Sequence, residues 1–222
     1  MKKLIITFAL ASICWSSLCW ADWPSLPYPD KAKVETIGEQ MRLNGVPMRM
    51  HRVLSGQSVE HTVDFYKKVL GAKYAEAEFY GAHILSQERG NYFITVKVSR
   101  LNANLTEILL SISDGRASNT AGSMPQGFVL PSDSELLSDI ESLDDGKSSR
   151  QLIFNNAHSM QTNADFITKV LQDKGYTLQP KLAIKRPNSI SLMFEGSKRE
   201  ARLVVSQDED GSNAVLTTIF SQ

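Results

Sequence analysis

The stretch of this chain best furnished for chemistry is Met48-Arg49-Met50-His51, with Met41 a few residues upstream. Thioether sulfur and imidazole nitrogen suit Cu(I), and a Met-x-Met pair on an extended strand places both sulfurs on one face. His51 falls on the opposite face, which divides the donor set. Methionine also fills irregular gaps in an apolar core, because its unbranched thioether chain adapts its shape. Core packing is therefore the expectation for these methionines. Copper binding through Met41, Met48, Met50 and His51 is the remote alternative.

The other chemical candidates are thinner. His51, His61, His83 and His158 lack the three- or four-residue helical spacing and the close strand spacing of a zinc site. Asp208-Glu209-Asp210-Gly211 lacks the alternating oxygen ligands and closing carboxylate of a calcium loop and reads as an acidic hairpin turn. Asp144-Asp145-Gly146 reads the same way. No Gly-x-Ser-x-Gly elbow is present, and no Gly-rich phosphate loop precedes a helix. Asp64 and Asp165 recur at matching helix positions and are expected on polar faces. A catalytic role would need Asp64, Asp165, His51 and His61 to converge. The expectation is a non-catalytic protein without a cofactor.

The chain begins with Lys2-Lys3 and an almost unbroken apolar run from Leu4 to Ile13, followed by Cys19-Trp20-Ala21. A short basic start, an apolar stretch too short for a comfortable span and small residues before Asp22 describe a secretory signal cleaved after Ala21. The expected compartment is the periplasm, with no membrane-spanning segment left after cleavage. Cys14 and Cys19 are the two cysteines of the chain, so the mature part has neither thiol nor disulfide and must rely on core burial. Removing Lys2 and Lys3 takes the basic count from 24 to 22 against 24 acidic residues, a net charge of −2. Nucleic-acid binding needs a dense basic patch, so it is not expected.

These residues must be positioned by a repeated framework. Shifted by 101 residues, Ser58–Leu70 lies over Ser159–Leu171 with Ser, Asp-Phe and Lys-Val-Leu identical, and Asn44-Gly45 lies over Asp145-Gly146. Each segment predicts a helix. Ser58 and Ser159 stand at N-cap positions. Val59, Val63, Tyr66 and Leu70, like Met160, Ala164, Ile167 and Leu171, follow the spacing of one buried stripe. Gly71 and Gly175 close the two helices.

Alternating apolar residues between turn signals predict antiparallel strands around each helix. The first set is 39–43, 46–53, 83–87, 92–99 and 105–113; the second is 136–143, 150–155, 190–194, 201–206 and 214–220. The expected fold is α+β: a tandem duplication of a ββαβββ module, antiparallel sheets each with one helix packed on a face. The expected organisation is a signal peptide (1–21), a Pro-rich N-terminal arm (22–35), module 1 (36–113), a linker (114–130) and module 2 (131–222).

The arm holds Trp23, Leu26 and Tyr28 among three prolines. It can dock these side chains on a partner, or pack them on its own first sheet. Two small modules without a metal or catalytic constellation suit a periplasmic binding or assembly component. This would be an accessory of a cell-envelope machine (secretion, pilus or envelope assembly) acting through protein–protein contacts at open sheet edges or an inner face. The alternative is a carrier of a small apolar ligand or lipid, which would require a cavity of roughly a few hundred Å³ between layers.

Overall fold

The computed structural model describes residues 23–37, 40–120, 127–144 and 146–221. The expected signal segment with Cys14, Cys19 and the Ala21 cleavage point lies outside the described residues, as does Asp145. The first half runs β1 (Lys33–Thr36), β2 (Gln40–Leu43), β3 (Val46–Ser55), α1 (Val59–Leu70), β4 (Ala75–Phe79), β5 (Ala82–Arg89), β6 (Tyr92–Asn102) and β7 (Leu105–Asp114). The second half runs β8 (Glu135–Asp144), β9 (Lys147–Asn156), α2 (Met160–Asp173), β10 (Thr177–Leu178), β11 (Ile184–Arg186), β12 (Ser189–Gly196), β13 (Arg199–Asp208) and β14 (Gly211–Ser221). Among the described residues no helix is long and apolar enough to cross a membrane.

The helices form where the local signals put them. Ser58 Oγ accepts from His61 N at 3.2 Å, and Ser159 Oγ accepts from Thr162 N at 3.1 Å, each satisfying one free donor of a first turn. Gly71 ends α1 at φ 78, a left-handed value that an L side chain resists. The stripe of α1 (Val59, Val63, Tyr66, Leu70) is buried against Val53, Leu85, Ile94, Val96, Val98, Ile108 and Leu110. Ala164, Ile167 and Leu171 of α2 are buried against Leu152, Phe154, Phe194, Leu203 and Leu216. Most of these side chains have no exposed surface, and each contributes about 1.5–3 kcal/mol by leaving water.

The fourteen strands found among the described residues belong to one antiparallel sheet, in the order β10-β12-β13-β14-β9-β8-β2-β3-β7-β6-β5-β4, with β1 also on β3 and β11 also on β12. The protein is thus α+β, and its two sets of strands are joined edge to edge at a seam between β2 and β8. The seam comprises four opposed pairs, from Gln40↔Leu143 to Leu43↔Ile140. Asn44 extends it: its Oδ1 accepts from Asp139 N, and its own N–H donates to Asp139 O, both at 2.8 Å. Asn44 (φ 51) and Gly45 (φ 79) form the left-handed pair of a type I′ turn, which aims the Asn44 amide at β8.

Several segments differ from their expected roles. Lys33, Val34 and Glu35, at the end of the expected arm, belong to β1 and pair with β3. In the expected linker, Gly115–Thr120 forms a 3-10 helix, while Phe128 and Leu130 pack into the second core. A short strand follows each helix, β4 after α1 and β10 after α2, and β11 is a further strand on β12.

Opposed residues share a face, and so do alternate residues along one strand. Val53, in the α1 core, shares its face with Arg49 and Pro47. Pro47 opposes Arg42, Arg42 opposes Glu141, and Glu141 opposes Arg150. Arg150 shares its face with Leu152 and Phe154 in the α2 core. Both helices therefore lie on one face of the sheet, with the seam between them.

Candidate functional site: a cleft over the seam

Between the two helix layers the sheet is uncovered, and an open cleft of about 620 Å³ lies there. Its floor comes from the central strands β3, β2, β8 and β9. Trp23 of the N-terminal arm walls it on one side, and Tyr176, after α2, with Phe220 of β14 on the other. Arg42, Arg49, Glu141 and Arg150 supply its charges.

The three arginines differ in partners. Arg150 is held by Asp139 through two contacts, Nε to Oδ1 at 2.8 Å and Nη2 to Oδ2 at 2.6 Å, with Glu141 Oε1 at 3.5 Å. The hydrogen bond to Asp139 raises the Arg150 pKa further, against the opposing effect of burial. Such a bidentate pair fixes the guanidinium plane and neutralises it. Arg49 lies over the indole of Trp23, 4.9 Å from the ring centroid, and Trp23 in turn lies 5.2 Å from the Tyr92 ring. Arg42 donates from Nη1 to Gly45 O at 3.1 Å. Among the described residues neither Arg42 nor Arg49 has an ion-pair partner. Both are exposed. The cleft therefore offers two guanidinium groups that stand outside any ion pair among the described residues, beside aromatic walls, an arrangement that receives carboxylates attached to apolar groups.

The residues singled out by type and spacing are distributed around this site. Met41 and Met48 oppose each other in register and are buried at 8% and 7% exposure. By strand alternation their side chains, with that of Met50, leave the face that carries Arg42 and Arg49. His51 is on the helix face, opposed to Leu110, with its ring edge-on to Tyr28 at 6.1 Å. The four donors are thus divided between the two faces. Burial first, and then the Arg49 charge, lowers the His51 pKa. Among the described residues no group of three or more His, Cys, Asp or Glu side chains is placed to hold a metal ion.

In the arm, Leu26 is buried in the first core at 5% exposure and Trp23 packs against it, while Tyr28 is 37% exposed. The arm thus packs on its own sheet, and Trp23 is the member that reaches the cleft. Asp64 and His61 are exposed on α1; Asp165 is exposed on α2 and accepts from Gln161 Nε2 at 2.7 Å. Among the described residues no hydrogen bond or ion pair joins these three to one another or to His51. His158 Nε2 lies 3.1 Å from Ser132 O. Asp208 and Gly211 are a closing pair of the β13–β14 hairpin.

Arg42, Arg150, Tyr176 and Phe220 were not signalled as a group, because they meet only when the seam forms. A signal did exist: Arg49 and Arg150 are identical residues 101 apart, each on the strand that leads into a helix. No protein-family model, curated protein or solved structure matches this chain.

Proposed function

We propose that this chain is an exported, non-catalytic binding protein of the bacterial cell envelope, built by duplication of one ββαβββ unit. Its contact surface is the cleft over the seam, and its occupant is an acidic protein segment carrying aromatic or aliphatic side chains. The observation that carries this reading is the pair Arg42 and Arg49, unpaired with carboxylates in a cleft walled by Trp23, Tyr176 and Phe220. Arginine and aromatic side chains are the commonest anchors of protein contacts.

Two features support the duplication. The two halves meet at Met41↔Ser142, residues separated by the repeat shift, so the seam register is symmetric about that pair. Before α1, Gln57 N donates to Ser55 Oγ and Thr106 Oγ1 donates to Gln57 O. Before α2, His158 N donates to Asn156 Oδ1 and Ser212 Oγ donates to His158 O, which reproduces the same turn with different side chains.

The carrier alternative has less support. The layers between helix and sheet are filled by side chains with no exposed surface, and the cleft floor holds three arginines. A photo-crosslinking amino acid at Thr218 or Phe220 in the native envelope tests the reading. Specific adducts with one envelope protein are expected there, and none from Thr217 or Ile219 on the other face. Equal labelling from both faces, or none from the cleft, defeats it. Sequencing of the mature N-terminus should begin at Asp22.

A further inference from the structure

The sheet has two open ends, and they are unlike. At one end every residue of β4 is exposed, and among the described residues no strand covers its outer side. At the other, every residue of β11 is exposed. Each edge presents unpaired backbone N–H and C=O groups that another strand can satisfy. Edges protected against self-association carry charges of one sign, so that copies repel. Here β4 carries Glu76 and Glu78, whereas β11 carries Lys185 and Arg186.

The faces of the two edges also correspond. Glu76 opposes buried Leu85, so Glu76 and Glu78 lie on the helix face. Lys185 opposes buried Ile190, so it lies on the helix face too. On the reverse face stand Phe79, 62% exposed, and Ile184, 53% exposed. Twelve strands make up the main path, each antiparallel to the next, so β4 and the opposite edge run in opposite directions. A second copy laid alongside by simple translation brings β11 antiparallel to β4, with all helices on one side. Pairing Lys185 with Glu78 then sets Ile184 against Phe79. Among the described residues Glu78 has no ion-pair partner, while Glu76 is held by Lys67 at 2.8 Å. The chain's own seam is a backbone join of the same kind, in which the four residues of β2 pair antiparallel with part of β8.

We infer that copies of this chain associate head to tail, β4 of one pairing with β11 of the next. The contact is heterologous and does not close on itself, so it builds linear oligomers. The edges are short, which makes the association weak and sensitive to salt.

The test is sedimentation of the mature chain over a rising concentration series at low ionic strength. Species beyond the dimer are expected, and they should shrink in roughly 1 M salt, where the screening length is about 3 Å. Glu78→Lys and Lys185→Glu each oppose like charges across the contact. Each should weaken association by about tenfold or more, and the double variant should restore it. Both residues are exposed, and circular dichroism confirms that each variant is folded. A monomer at every concentration overturns the inference. So does growth that stops at a dimer, single variants that associate like the parent, or a double variant that stays dispersed.

Discussion

Asn163 gives a demanding test of the second core. It sits on α2 with no exposed surface. Its Oδ1 accepts from Asn156 Nδ2 at 3.0 Å, and its Nδ2 donates to Asn156 Oδ1 at 2.7 Å and to Ser212 Oγ at 2.8 Å. Asn163→Ala deletes all three bonds and leaves a void. None of the partners is stripped completely: Asn156 keeps Ser134 Oγ and His158 N, and Ser212 still donates to His158 O. The full penalty of an orphaned buried group is therefore avoided. Three bonds at roughly 0.5–1.5 kcal/mol each, with a small cavity, give an expected loss of about 2–4 kcal/mol. Urea unfolding followed by far-ultraviolet circular dichroism should show a lower midpoint at unchanged slope. The melting temperature should fall by roughly 4–16 °C for a chain of this length. A loss below about 1 kcal/mol would refute the account of a closed amide network.

Gly211 admits no side chain, because a methyl group there would overlap Asn156 O and come within 2.7 Å of Ala157 Cα. Gly211→Ala should lose roughly 3 kcal/mol or more, and a variant that melts with the parent would show that this strand can move away. The Tyr66 hydroxyl is buried without a hydrogen-bond partner among the described residues, and burial, with Tyr28 a lesser cause, raises its pKa. Tyr66→Phe should be neutral or stabilising by up to about 1 kcal/mol; clear destabilisation in the same urea assay would reveal a partner for the hydroxyl. The lowered pKa of His51 means that the unfolded chain binds its proton more readily. His51 therefore contributes stability above its unfolded value of about 6.5, and loses it as pH falls toward the folded value. His51→Gln should flatten stability across that window, and a ring titrating at or above the unfolded value would contradict this.

What was legible in the sequence was what short stretches decide. Ser58 and Ser159 announce their helices because a cap bonds within one turn. Asn44-Gly45 announces its hairpin because two residues suffice to reverse the chain. Strand order was hidden, since β3 meets β7 across the whole of α1, β4, β5 and β6. The Tyr80-Gly81 turn was hidden for another reason: Tyr80 holds φ 49 while 94% exposed, against the usual preference for asparagine there. The cleft was hidden because its arginines come from strands on both sides of a contact that no local pattern encodes.

The seam also sets a hierarchy of motion. Almost every strand pair closes within one half, whereas β2 has only four residues with which to hold β8. Parting that single line of backbone bonds leaves the separate cores around α1 and α2 intact, so it lies at the low end of the opening energies of the chain. Amide hydrogens of Gln40–Leu43 should then exchange faster than those of β6 or β13. An occupant of the cleft, as proposed above, would bridge that line and slow the exchange, riveting two half-sheets into one rigid sheet.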